Sequence, residues 1–148
     1  MTTDVQTWLI EAVKKLQGSS DTPLLECHAL LAFALGKPRE WIIAHPEQIL
    51  TSDQNSYLDD LLDRLANGTP LPYLTGKQAF FGLDFTVTPD VLIPRPETEL
   101  LVEEAVDWLQ KHPSRRNVLD VGTGSGAIAV SLADQIPDLQ VIAADVSG

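Results

Sequence analysis

Residues Asp120-Val121-Gly122-Thr123-Gly124-Ser125-Gly126-Ala127 constrain the fold more than any other stretch of this chain. They stand between two short apolar runs, Val118-Leu119 before and Ile128-Ala129-Val130 after. That order predicts a strand, a tight turn and the start of a helix. Glycines at alternate positions let the backbone bend sharply and approach a ligand with no Cβ in the way. The helix that follows exposes unpaired N–H groups and the positive end of its dipole. A further apolar run, Leu139 to Ala144, ends on Asp145. That acid falls about 20 residues past the turn, where a ribose-binding carboxylate belongs in such units. The expectation is a βαβ unit of nucleotide-binding type, and so an α/β fold class.

The residues before that unit read differently. Val5, Trp8, Leu9, Ala12, Val13 and Leu16 recur at helical spacing, and Gly18 follows as a stop. Pro23 suits the first turn of a second helix, apolar nearly all round and ending at Gly36, which places it at the centre of a small bundle. Pro38 opens a short helix with Trp41, Ile42 and Ile43. Thr51 and Gln54 have capping-box spacing ahead of Tyr57, Leu58, Leu61, Leu62 and Leu65. Residues 1–68 are thus expected to form a helical domain. The run Gly68-Thr69-Pro70-Leu71-Pro72 breaks the pattern and opens a linker, residues 69–94. Within it Gln78-Ala79-Phe80-Phe81 and Phe85-Thr86-Val87-Thr88 flank Gly82-Leu83-Asp84 as a β-hairpin. A helix is expected from about Glu97, with Leu100, Leu101, Ala105, Val106 and Trp108 inward. Residues 95–148 would then be the beginning of an α/β domain. Two strands and one helix leave apolar faces and edges exposed, so the chain is expected to be the front part of a longer protein.

Charge narrows the partners. There are 21 acidic and 10 basic side chains, a formal charge of −11, with acid spread through both halves. Binding to a phosphate backbone needs clustered Lys and Arg, so direct nucleic-acid binding is not expected. Cys27 is the single cysteine, which excludes an internal disulfide. The amino terminus lacks the basic start and apolar core of a signal peptide, and no apolar run approaches the ~20 residues that span a bilayer. No membrane association is expected, and the location is read as cytoplasmic. His28, His45 and His112 match no metal-ligand spacing, so no metal is expected. Lys111, Arg115 and Arg116 read as a solvated loop, the tryptophans as core, and Phe80, Phe81 and Phe85 as packing between domains.

Two cofactor classes use such a turn. Gly122, Gly124 and Ala127 satisfy the dinucleotide spacing Gly-x-Gly-x-x-Gly/Ala, which keeps an NAD-dependent oxidoreductase open. Asp120, Gly122, Gly124 and Gly126 satisfy in full the pattern of S-adenosylmethionine sites, an acid two residues before Gly-x-Gly-x-Gly. An acid beside the turn repels a pyrophosphate but suits an ammonium group. Asp145 suits either, since both cofactors present ribose hydroxyls.

The run Thr88-Pro89-Asp90-Val91-Leu92-Ile93-Pro94-Arg95-Pro96-Glu97-Thr98-Glu99, followed by Val118 to Gly126, resembles the bacterial release-factor glutamine methyltransferases of the HemK type. Pro72-Tyr73-Leu74, Phe80-Phe81-Gly82 and the order of helical domain, hairpin and α/β fold fit the same pattern, so the resemblance covers essentially the whole chain. It implies a helical substrate-recognition domain, a hairpin linker and the start of a Rossmann-like methyltransferase domain. It implies methyl transfer from S-adenosylmethionine to the side-chain amide nitrogen of the glutamine in the Gly-Gly-Gln motif of peptide chain release factors. Cofactor-binding residues by resemblance are Asp120, Gly122, Thr123, Gly124, Ser125, Gly126 and Asp145, with Arg95 and Thr98 lining the same pocket. An adenine-N6 nucleic-acid methyltransferase is an alternative, disfavoured by the acidic charge and the arginine-proline run. The family's catalytic Asn-Pro-Pro-Tyr motif does not occur in residues 1–148, so no catalytic residue carries over and the chain alone is expected to be inactive.

Overall fold

The computed structural model describes residues 3–147, and the chain divides into two compact units, Met1–Thr75 and Gly76–Gly148. The first unit is helical. Its opening helix α1, Val5–Leu16, is capped by Asp4, whose carboxylate accepts from the Thr7 N–H at 2.7 Å. Helix α2, Pro23–Leu35, begins on proline and ends where Gly36 turns left-handed. A short helix α3, Arg39–Ala44, follows. Helix α4, Ser52–Ala66, carries the expected capping box: Thr51 accepts from the Gln54 N–H at 3.2 Å, and the Gln54 side chain accepts from the Thr51 N–H at 3.0 Å. Two of the four orphan donors at that helix end are thereby satisfied.

Helix α2 packs against α1, α3 and α4 and is the hub of the unit, as its composition predicts. It is not buried all round, however: Cys27, His28, Leu30 and Leu31 face inward, while Leu24, Leu25 and Phe33 are exposed. Val5, Trp8, Ala12 and Leu16 meet that inner face together with Leu58, Leu61 and Leu62. One element was not expected. Leu71–Thr75 forms a short helix α5 whose Leu74 joins the same core. Gly68, left-handed at φ 91°, ends α4, and Pro70 and Pro72 lack the N–H groups that a first helical turn leaves unpaired in any case, so they start α5.

The second unit opens with an antiparallel hairpin, β1 (Lys77–Phe80) and β2 (Leu83–Thr86). Its turn is Phe81-Gly82, earlier than the expected Gly82-Leu83-Asp84. Both turn residues have positive φ, 51° and 76°, the geometry whose twist matches the flanking strands. Phe80 and Phe85 pack edge to face with ring centroids 6.1 Å apart inside this unit's own core, which corrects the expectation that they pack between domains. Residues Pro96–Thr98 then form a 3-10 turn, and helix α6 runs over Glu99–Lys111, later than the expected start at Glu97.

The inward face of α6 also differs from the expectation. Val102, Ala105, Val106 and Leu109 face the core at i, i+3, i+4 and i+7, whereas Leu100, Leu101 and Trp108 are exposed. The helix carries two apolar stripes, and the one that meets the hairpin and the following helix is buried. Trp108 instead stacks on the His112 ring, 4.2 Å between centroids.

Strand β3 (Asn117–Val121), helix α7 (Ala127–Gln135) and strand β4 (Gln140–Ala144) complete the described unit. The strands are parallel, with Leu119 opposite Ile142 and Asp120 opposite Ala143. Arg116 is not the solvated residue expected of its loop. Its guanidinium donates to Asp138 at 2.8 Å and to the Leu109 carbonyl at 3.1 Å, tying the end of α6 to the turn before β4. One sheet face rests on the core; on the other, Leu119, Val121 and Ile142 are exposed. Among the described residues no helix is long and apolar enough to cross a membrane.

Candidate ligand-binding site

The end of β3, the glycine turn and the end of β4 meet at one edge of the parallel pair. The N–H groups of Gly122 and Thr123 donate to the Ala144 carbonyl at 2.7 and 3.1 Å, extending the strand pairing into the turn. Gly122, Gly124 and Gly126 all have positive φ, 78°, 55° and 80°, so each bend needs a residue without a Cβ penalty. A Cβ on Gly122 would meet nothing within 4 Å and one on Gly124 would meet Val91 Cγ2 at 3.6 Å. Strain in the backbone, more than lack of room, therefore selects glycine at these two positions.

Two acids hold the turn. The Asp120 carboxylate accepts from the Thr123 hydroxyl at 2.8 Å. The Asp145 carboxylate accepts from the Gly124 N–H at 2.8 Å through one oxygen and from the Ser147 N–H at 2.9 Å through the other. Those amide bonds, Ser147 first and Gly124 second, stabilise the ionised form and hold its pKa below the usual carboxylate range. The Val146 N–H and the Ser147 hydroxyl lower it further, so four donors of the chain already face this carboxylate.

Two clefts open on the turn. The larger, about 400 Å³, is lined by Gly122, Gly124, Asp145 and Ser147, and by Asp90, Val91 and Leu92 from the irregular segment before α6. That volume falls in the ordinary range for small-molecule sites. The smaller, about 140 Å³, adjoins it and is lined by Arg95, Thr98, Thr123 and Ser125 with apolar Phe80 and Ile128. Leu92, Gly122 and Gly124 belong to the walls of both.

Most of the residues singled out from sequence thus come together: Gly122, Gly124 and Asp145 at the larger cleft, Arg95, Thr98, Thr123 and Ser125 at the smaller. Asp120 and Gly126 stand outside both walls. Asp120 lies behind the turn on Thr123, and Gly126 is the N-cap of α7, its N–H donating to the Thr123 carbonyl at 2.9 Å. Sequence reasoning missed Asp90, Val91 and Leu92 as cleft residues. A signal was present: the apolar run Val91-Leu92-Ile93 between Pro89 and Pro94 joins neither strand nor helix, and its exposed Leu92 has no core to serve. Among the described residues no group of three or more His, Cys, Asp or Glu side chains is placed to hold a metal ion.

Comparison with known proteins gives this geometry its setting. Residues 7–76 match the PrmC N-terminal domain. The chain is 44% identical over 142 residues to a release factor glutamine methyltransferase of Escherichia coli (strain K12), covering 96% of this chain and 50% of that relative. It is 46% identical over 142 residues to the protein of that name from Salmonella typhimurium, with the same coverage. The protein of that name from Burkholderia pseudomallei is 47% identical over 133 residues, 90% of this chain and 46% of the relative. The chain is thus similar over residues 7–76 to the PrmC N-terminal domain and over nearly its whole length to the release factor glutamine methyltransferases, of whose length it spans about half.

Proposed function

We propose that the glycine turn and Asp145 form the S-adenosylmethionine site of a protein-glutamine methyltransferase, one that acts on the Gly-Gly-Gln glutamine of peptide chain release factors. In this reading residues 95–148 begin a Rossmann-like methyltransferase domain, residues 69–94 link it through the hairpin, and residues 1–68 recognise the protein substrate. The observation that carries the reading is the Gly124 N–H bond to Asp145. It brings the turn and the acid that ends β4 to one cleft, as a nucleoside site requires.

The residues fit the cofactor. Asp145 lines the larger cleft as an ionised acceptor, the partner that the two ribose hydroxyls need as donors. Gly122 and Gly124 present bare backbone to the ligand. Asp90 and Asp145 share the larger cleft, a pairing that disfavours a pyrophosphate and suits a ligand bearing hydroxyls and a positive charge. Asp120 and Gly126 serve the site through the shape they give the turn.

Bound S-adenosylmethionine supplies a sulfonium methyl that is already electrophilic. The protein's task is to hold and align, which converts an encounter into an oriented pair. Residues 120–126 and 145 do the holding. The Asn-Pro-Pro-Tyr motif that orients the substrate amide in the resembled family does not occur in residues 1–148. These residues alone are therefore proposed to bind the donor without transferring its methyl group. Backbone-amide NMR tests the site: S-adenosylhomocysteine should shift the signals of Gly122, Gly124 and Ser147 and leave those of α1 to α4 in place. Unmoved glycine-turn signals at saturating ligand would refute it.

A further inference from the structure

The two clefts share three residues, and two of those are glycines. Leu92 is therefore the one side chain common to both walls. It is 71% exposed, a large apolar group standing in solvent on a segment whose conformation is restricted by Pro89 and Pro94. Its neighbour Val91 lies over the turn, with Cγ2 3.6 Å from where a Gly124 Cβ would be. An exposed leucine costs nothing unusual by itself. Here it lines, together with Gly122 and Gly124, two adjoining and chemically different spaces.

The spaces differ in charge. The larger cleft holds the Asp90 and Asp145 carboxylates and the Ser147 hydroxyl. The smaller is lined by Arg95, Thr98, Thr123 and Ser125, with apolar walls from Phe80 and Ile128. A guanidinium presents a planar fork of donors that suits a carboxylate.

Building on the cofactor reading above, we infer that Leu92 is a positioning residue that divides the site into a nucleoside half at Asp145 and an amino-acid half at Arg95. A ligand reaching both halves passes between the Leu92 side chain and the Gly122–Gly124 backbone. Leu92 then contacts the middle of that ligand, next to its sulfur, and its bulk sets which ligands cross. Adenosine needs the nucleoside half alone.

Calorimetric titration of the 148-residue chain with adenosine and with S-adenosylhomocysteine separates the possibilities. Leu92→Trp narrows the passage and should weaken S-adenosylhomocysteine more than tenfold while leaving adenosine within about threefold. Arg95→Gln should do the same by removing the carboxylate's partner. Circular dichroism should match the parent for both, since both side chains are exposed. Equal losses for both ligands, or no loss for either, in both variants would overturn the division. Failure of the parent chain to bind either ligand would instead overturn the cofactor reading on which it rests.

Discussion

The Gly124 amide and the Asp145 carboxylate, 21 residues apart in sequence, are hydrogen-bonded at 2.8 Å across the mouth of the parallel strand pair. The bond joins a turn that must be glycine for conformational reasons to an acid whose ionised form that bond favours. Its consequences can be separated by mutation.

Asp145→Asn keeps the shape but loses the charge and one acceptor, so the Gly124 N–H and the ligand hydroxyls compete for what remains. Affinity for S-adenosylhomocysteine should fall at least tenfold, measured by titration, with the circular dichroism spectrum unchanged. The acid's pKa is held below its ordinary 3.8, so the contribution of the ionised form is fully present above pH 3.8. It is lost only as pH falls below that value through the folded pKa. Affinity should therefore be flat from about pH 5 upward as far as this group is concerned.

His28 lies inside the helical unit, 8% exposed, and its Nδ1 finds no partner among the described residues. Burial first, and the Arg39 charge second, hold its pKa below the ordinary 6.5. The unfolded chain therefore takes up the proton before the folded one does. Stability is full above pH 6.5 and falls as pH drops through 6.5 toward the folded pKa, where it levels off. The helical unit should melt at lower temperature at pH 5 than at pH 7.5, and His28→Gln should flatten that dependence. An unchanged slope in the variant would assign the effect elsewhere.

Thr51→Ala removes the cap of α4 and leaves the Gln54 N–H without its partner. The expected loss is about 1 kcal/mol, read from the denaturation midpoint, whereas Thr51→Gly should cost a few tenths.

Glu99 reaches back 18 residues to accept from the Phe81 N–H at 2.7 Å, pinning the hairpin turn to the start of α6. Glu99→Ala strands a part-buried donor and should cost about 1–3 kcal/mol in the second unit. Glu99→Gln, which can still accept, should recover most of it.

The sequence spoke clearest where one residue type answers one local demand. Thr51 and Gln54 announce a cap, Pro23 and Gly36 bracket α2, and the alternate glycines before Ala127 announce a bend that the positive φ angles bear out. It spoke less clearly where a choice depends on distant partners. Helix α6 carries two apolar stripes, and only the packing of β1, β2 and α7 decides that Val102 and Leu109 go in while Leu101 and Trp108 stay out. Helix α5 was hidden because proline both ends and begins helices. The glycine turn, Arg95, Thr98 and Asp145 were legible by pattern and resemblance. Asp90 and Leu92 were not, because an irregular segment has no period and its place beside the turn follows from the folded path alone.

The most direct measurement is a calorimetric titration of the 148-residue chain with S-adenosylmethionine, S-adenosylhomocysteine and NAD in parallel. Saturable one-site binding of the two sulfur nucleosides is expected, lost on Asp145→Ala, with no heat from NAD. Binding of NAD alone, or sulfur-nucleoside binding that Asp145→Ala leaves untouched, would contradict the assignment of this turn to a methyl donor.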